Sequence, residues 1–248
     1  MKKKILLSLL ALIFIACSGD GIDGNANQAI GGDGQGGSLA RFTLVGDYLY
    51  TVDDQSLRIF NIQNPSLPTY VNNRYIGREI ETLFSLDDYL FIGSRLGMFI
   101  YDISDRENPL ELSSVSHFRS CDPVVSSGDY TYVTLHTNAA CIGELNQLEI
   151  YDTTDPFNPV QLQVVQMDRP IGLGLYNEFL FVTDENVVRI FDVTNPALPD
   201  LVGGIPVDAF DVIIRANQIY VIGPDALYQY ALDPNNITNY TEMSTITF

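Results

Sequence analysis

The stretch that decides the fold is VRIFDVTNPALP, Val188 to Pro199, because LRIFNIQNPSLP, Leu57 to Pro68, is nearly the same twelve residues. Repetition at this level marks a repeat architecture, and the period tells which one. The same register recurs in a second motif. GDYLYTV begins at Gly46, DDYLFIG at Asp87, GDYTYVT at Gly128, NEFLFVT at Asn177 and ANQIYVI at Ala216, at intervals of 41, 41, 49 and 39 residues. Each is a turn pair entering an alternating aromatic and aliphatic run, the pattern of a hairpin feeding a strand. After it come LRIFN, MFIYD, LEIYD, VRIFD and the degenerate LYQYA, then the turns NPSLP, DRENP, DPFNP, NPALP and DPNNI. Asp and Asn bond their own turn backbone, and Pro removes a ladder donor and ends the strand. A further strand precedes each turn pair (RFTLV, ETLFS, DPVVS, IGLGL, DVIIR), and a fourth follows each proline turn, as in TYVNN and QLQVV.

Four antiparallel strands repeated five times over residues 38–248 predict an all-β, five-bladed β-propeller of four-stranded blades. A two-sheet sandwich is the competitor, but it needs no 41-residue period. No apolar run follows a helical period. The sequence leaves open how the first and fifth blades meet.

The remaining chain reads as targeting and tether. Residues 1–16 carry Lys2, Lys3, Lys4 and an apolar run from Ile5 to Ala16, a secretory signal too short to span a bilayer. FIAC, Phe14 to Cys17, resembles a bacterial lipobox with Phe14 where Leu is usual. The resemblance implies cleavage before Cys17, acylation of its thiol and new amino group, and membrane attachment through that lipid anchor only. Residues 17–37 continue into a tether with eight glycines between Ser18 and Gly37, a flexible segment reaching about 25 Å. Gly32, Gly34 and Gly37 match GxGxxG, but no strand precedes them and no helix follows.

LEIYD, VRIFD, the (D/N)P turns, CDPVV at Cys121, NQLEIYD at Asn146, GLGL at Gly172 and FDVII at Phe210 resemble the LVIVD-repeat proteins, bacterial surface lipoproteins of the Bacteroidota type. That resemblance implies a lipid-anchored propeller at the outer membrane or cell surface. Ile171 stands where members often carry a histidine before GLG, and Ala231 where the last repeat usually has Asp.

Thirty-one acidic against thirteen basic residues give a net charge of −18, which repels nucleic acid and anionic lipid. Cys121 begins the first strand of unit three, and Cys141 sits in a loop between strands two and three that is longer than its counterparts. A meander brings those two points to one rim, so export to an oxidising compartment predicts a disulfide. First strands of blades line the central channel. The alignment sets Ala40, Glu81, Asp122, Ile171 and Phe210 one position from the rim, with Asp211 one step further, so that Glu81, Asp122 and Asp211 face one funnel. Three readings fit these carboxylates: bonds to a neighbouring blade, a calcium site, or the acid and nucleophile of a glycoside hydrolase. Calcium is the one cofactor they suggest. Arg41, Arg78, Arg119 and Arg169 lie near strand-one positions, as partners of the carboxylates or receivers of an anionic ligand. His117 and His136 read as surface residues, with His136 and Arg169 added to the candidate ligand site. No multi-histidine metal site, phosphate loop or nucleophile elbow is present. The expectation is a non-catalytic recognition or scaffold domain for an envelope protein or glycan; the alternative is a carbohydrate-active enzyme using the funnel carboxylates.

Overall fold

A computed structural model describes residues 37–117, 120, 123–137 and 145–248. Cys17, Cys121, Asp122, Arg119 and Cys141 lie outside the described residues, and with them the lipidation site, the disulfide and one funnel carboxylate.

Twenty strands form five four-stranded antiparallel sheets, each a consecutive meander. Blade 1 is β1 (Phe42–Val45), β2 (Tyr48–Val52), β3 (Ser56–Asn61) and β4 (Thr69–Tyr75). Blade 2 is β5 (Ile80–Leu86), β6 (Tyr89–Ser94), β7 (Gly97–Asp102) and β8 (Leu110–Ser116). Blade 3 is β9 (Val124–Ser126), β10 (Tyr130–Leu135), β11 (Gln147–Asp152) and β12 (Val160–Gln166). Blade 4 is β13 (Pro170–Tyr176), β14 (Phe179–Asp184), β15 (Val187–Asp192) and β16 (Asp200–Ile205). Blade 5 is β17 (Asp211–Arg215), β18 (Gln218–Ile222), β19 (Ala226–Leu232) and β20 (Tyr240–Thr247). The chain is a five-bladed β-propeller.

The repeated residues account for the repeated geometry. The first turn residue of every opening hairpin has positive φ: Gly46 at 56°, Asp87 at 51°, Gly128 at 98°, Asn177 at 51° and Ala216 at 50°. Gly, Asp and Asn tolerate that region and Ala does so only with strain, so blade 5 departs from the rule its siblings follow. At the end of the third strand in blades 1 to 4 an Asp or Asn carboxyl or amide oxygen accepts from the backbone two residues on. Asn61 takes Gln63 N at 2.9 Å, Asp102 takes Ser104 N at 2.6 Å, Asp152 takes Thr154 N at 3.0 Å and Asp192 takes Thr194 N at 2.9 Å. The turn behind the proline motif repeats the device through Asn64, Asp105 and Asp155. Every blade also carries one register shift between its third and fourth strands, at Phe60, Tyr101, Tyr151, Phe191 and Tyr230. Such a bulge adds the twist a propeller blade needs.

Blades pack face to face through alternating strand residues. One cluster joins blades 1 and 2 around Tyr50, Leu57, Ile59, Leu83 and Leu90. A second runs through blades 2, 3 and 4, and a third joins blades 4 and 5. A polar contact recurs at these seams: a side chain of the fourth strand donates to the proline turn of the next blade. Asn72 Nδ2 reaches Glu107 O at 2.7 Å, Ser113 Oγ reaches Pro156 O at 2.6 Å, and Gln163 Nε2 reaches Ala197 O at 3.1 Å. Among the described residues, no apolar cluster joins blade 5 back to blade 1.

Candidate functional site at the centre of the propeller

The segment entering β1 forms the described part of the centre. Ser38 is buried. Its Oγ accepts Leu173 N of blade 4 at 2.8 Å and donates to Asp211 Oδ1 of blade 5 at 3.3 Å. Ala40 O accepts Leu83 N of blade 2 at 2.8 Å. Four residues of chain thus touch three different blades. A Cβ on Gly37 would sit 2.3 Å from Asp211 Oδ2, so a side chain there would have to displace that carboxylate. The GLGL motif has the same origin. A Cβ on Gly172 would lie 2.6 Å from Asp211 Cα and 2.7 Å from Phe210 O, so β13 and β17 approach only because residue 172 has no side chain.

Asp211 is the most perturbed acid here. Burial pushes its carboxyl up to about 6, against the opposing pull of bonds from Val212 N, at 2.9 Å, and Ser38. Glu81, half-buried, accepts Arg95 Nε at 2.6 Å. Among the described funnel carboxylates an arginine pair thus occurs at Glu81, with an arginine outside the four expected, while Asp211 bonds Ser38 and Val212 N. Arg95 comes from the β6–β7 turn of the same blade, whereas Arg41 spends its guanidinium on Ile80 O at 2.9 Å. Strand-one position alone does not specify the reach of a long side chain. Among the described residues, no three acidic, histidine or cysteine side chains converge as a metal site requires.

His136 corrects the sequence reading. It is buried rather than on the surface. Burial, and next the charge of Arg169, hold its imidazole down to about 4, so it is neutral at physiological pH. Its carbonyl accepts Ser120 Oγ at 2.9 Å, and neighbouring Thr134 Oγ1 reaches Ile171 O of blade 4 at 2.6 Å. His136 thus sits at the seam between blades 3 and 4, because the chain leaving β10 is still between sheets when it reaches residue 136. Arg169 is exposed, and its backbone N bonds Asp184 Oδ1 at 2.6 Å. The structure brings His136 and Arg169 into electrostatic contact, and Ser38 and Asp211 into hydrogen-bond contact.

Two buried acids escaped the sequence reading. Asp184 is fully buried and accepts Asp168 N at 3.0 Å, Arg169 N at 2.6 Å and Arg189 Nε at 2.5 Å. Glu149, also buried, accepts Gln147 Nε2 at 2.7 Å and the Tyr151 hydroxyl. Gln166 and Gln161 extend that ladder from β12. The signal for Glu149 was present: in NQLEIYD, Gln147, Glu149 and Tyr151 alternate onto one strand face.

The sheet order and the axial seam define the class of this molecule as a β-propeller. More particularly, it carries LVIVD repeats, matched at residues 36–74, 85–117 and 172–205. These matches fall on blades 1, 2 and 4; blade 3 with its longer loop and the degenerate blade 5 go unmatched. No curated protein matches the sequence. Among solved structures, a functionally unknown protein from Desulfotomaculum acetoxidans superimposes with a TM-score of 0.70 at 12% identity, over 84% of this chain and 69% of that one. A protein from Lactobacillus plantarum gives 0.66 at 16% identity, over 81% and 68%. A periplasmic gluconolactonase of Pseudomonas aeruginosa gives 0.64 at 16%, over 83% and 69%. At such identities the likeness is one of fold.

Proposed function

We propose that the chain is an envelope lipoprotein, held at the outer membrane or cell surface through Cys17, whose propeller recognises or scaffolds a protein or glycan without catalysing a reaction. One observation carries the non-catalytic part: among the described residues, the partly or fully buried acids Glu81, Asp184 and Asp211 are each committed to the protein itself. Glu81 is held by Arg95, Asp184 by Arg189 and two backbone N–H groups, and Asp211 by Ser38. Glycoside hydrolysis needs two carboxyl groups free to flank the substrate. In this reading a Cys121–Cys141 disulfide pins the long loop of blade 3, and the rim at exposed Arg169, with His136 buried beneath it, contributes to recognition. Calcium remains a candidate ligand of Glu81, Asp122 and Asp211.

The carbohydrate-active reading draws on a single feature. A carboxyl pushed up to about 6 is poised near the range of a general acid, and a structural neighbour is a gluconolactonase. Crosslinking in the native cell, followed by identification of partners, tests the recognition reading; a reproducible envelope protein or glycan adduct, lost on Cys17→Ala release from membranes, is the expected result. Turnover of a lactone or glycoside by the purified chain, abolished by Asp211→Asn or Glu81→Gln, would replace it with the enzyme reading.

A further inference from the structure

Among the described residues, blade 1 has an uncovered face that its sister blades bury. Register fixes the equivalent positions: Phe42 pairs Thr51 as Leu83 pairs Ile92, Val124 pairs Val133, Leu173 pairs Val182 and Val212 pairs Val221. The four counterparts are 2%, 0%, 1% and 1% exposed, each against the preceding blade, whereas Phe42 is 61% exposed. The next row on this face is continuous across the sheet: Leu44 pairs Leu49, Leu49 pairs Phe60, and Phe60 pairs Tyr70. Phe60 and Tyr70 meet edge to face with centroids 5.8 Å apart, and Tyr70 is itself exposed. In blades 2 and 4 the same row, Leu90–Tyr101 and Leu180–Phe191, is buried.

The free face of blade 5, which would meet blade 1 if the ring closed on itself, has a different character. Its middle row is Ile213, Tyr220, Gln229 and Ser244, beside a row of Ile222, Leu227 and Ile246, with Ile213 37% and Ile246 59% exposed. The polar side chains of the middle row and Gln218 already bond one another: Tyr220 Oη to Gln218 at 2.9 Å, Gln229 Nε2 to Gln218 at 3.1 Å and to Tyr220 at 3.2 Å, and Ser244 Oγ to Gln229 at 3.3 Å. Both end faces leave apolar area in water, but the middle row of blade 5 is largely polar and satisfied, whereas that of blade 1 is aliphatic or aromatic throughout.

We infer that the outer face of blade 1 is the contact surface for a second copy of this chain, blade 1 against blade 1 across a two-fold axis. Charge selects this face. In a chain of net charge −18, residues 41–75 carry three arginines and three aspartates, while residues 206–248 carry five acids and one arginine. Two copies of an acidic protein meet with least repulsion at their neutral blade. An isologous pairing closes at two subunits, whereas blade 5 against blade 1 of the next copy would propagate. The area also suffices. Four strands about 4.8 Å apart and about 18 Å long give a face of roughly 350 Å² in projection. Two such faces bury on the order of 1,000–1,400 Å² of accessible surface in total, at the lower end of specific interfaces.

Sedimentation of the full chain bearing Cys17→Ser, which removes any acyl chain from the association, tests this. The expected mass is twice that of the monomer, returning to one on Phe42→Asp and on Tyr70→Asp, with Ile213→Asp on the blade 5 face leaving the dimer intact. Phe42 and Tyr70 are exposed, so their variants fold; circular dichroism melts confirm it, and either variant alone suffices if the other does not. A wild-type monomer throughout the concentration range overturns the inference. So does a dimer indifferent to both variants, and one dissociated by Ile213→Asp would establish the head-to-tail arrangement instead.

Discussion

Blades 1 and 4 carry the same repeat and share the same arginine–aspartate pair, yet their surroundings make it two different interactions. Arg58 pairs Asp53 at the margin of blade 1, with both side chains well exposed. Arg189 pairs Asp184 in blade 4, where the carboxylate has no contact with water. An exposed pair competes with solvent and salt, so it adds little. A buried carboxylate has lost its hydration and depends on the donors around it. The surroundings of the pair, not the repeat motif, set the energetic weight of a residue.

The largest test of that contrast removes each arginine. Arg189→Met leaves Asp184 buried with only its two backbone donors, and should cost about 3–5 kcal/mol in chemical denaturation. Arg58→Met should change stability by less than about 1 kcal/mol. Equal losses would show that burial does not separate the two blades.

The second test compares equivalent first-strand positions. Leu83→Ala opens a cavity between blades 1 and 2 and should cost about 2–4 kcal/mol. Phe42→Ala, measured at dilutions where the chain is monomeric, should cost less than about 1 kcal/mol because most of its ring already faces solvent. A large loss at Phe42 would mean that the ring closes over this face.

A third test concerns the point where the segment before blade 1 does touch blade 5. Asp211 titrates at about 6 in the fold, above its ordinary value of 3.8, so the folded state holds its proton more tightly than the unfolded chain. Its favourable contribution is complete below about 4 and is lost as pH rises through 6. Asp211→Asn should therefore be more stable than wild type at pH 7.5 by about 2–3 kcal/mol, and the gap should vanish below pH 4. Melting curves across that range check both sign and window.

The smallest effect has the opposite sign. His136 is held down to about 4, so the unfolded chain takes up a proton between about 6.5 and 4 that the fold refuses. Wild type should lose about 1–2 kcal/mol by pH 5 relative to His136→Gln, with no difference above pH 7.5. A pH-independent difference would place His136 in water and reopen the surface reading.

Much of the fold was legible because its determinants are local. Strands followed from period-two alternation in runs such as YLFIG and FLFVT, and their ends from residues that accept their own backbone N–H, as Asp102 and Asp192 do. Even the strand register carried through: Phe42, Leu83, Val124, Leu173 and Val212 hold equivalent pairings in the five blades. The candidate site was less legible. Glu81 and Asp211 were recognised as notable acids, but the alignment offered Arg41 where the turn supplies Arg95, and it gave Ser38, the first residue of the propeller, no role. Asp184 looked like any turn acid until Arg169 N and Asp168 N were found folded over it.

By itself the sequence determined the number of blades, their strand order and the chemistry of each turn, since these depend on residues a few positions apart. The tertiary structure decided what lies beside each blade. That placed His136 between sheets, made Gly172 obligatory against the backbone of Phe210 and Asp211, and buried Leu83 while leaving Phe42 in solvent. Identical repeats acquire different physics there because desolvation is a property of the neighbour, and a repeat does not encode its neighbour.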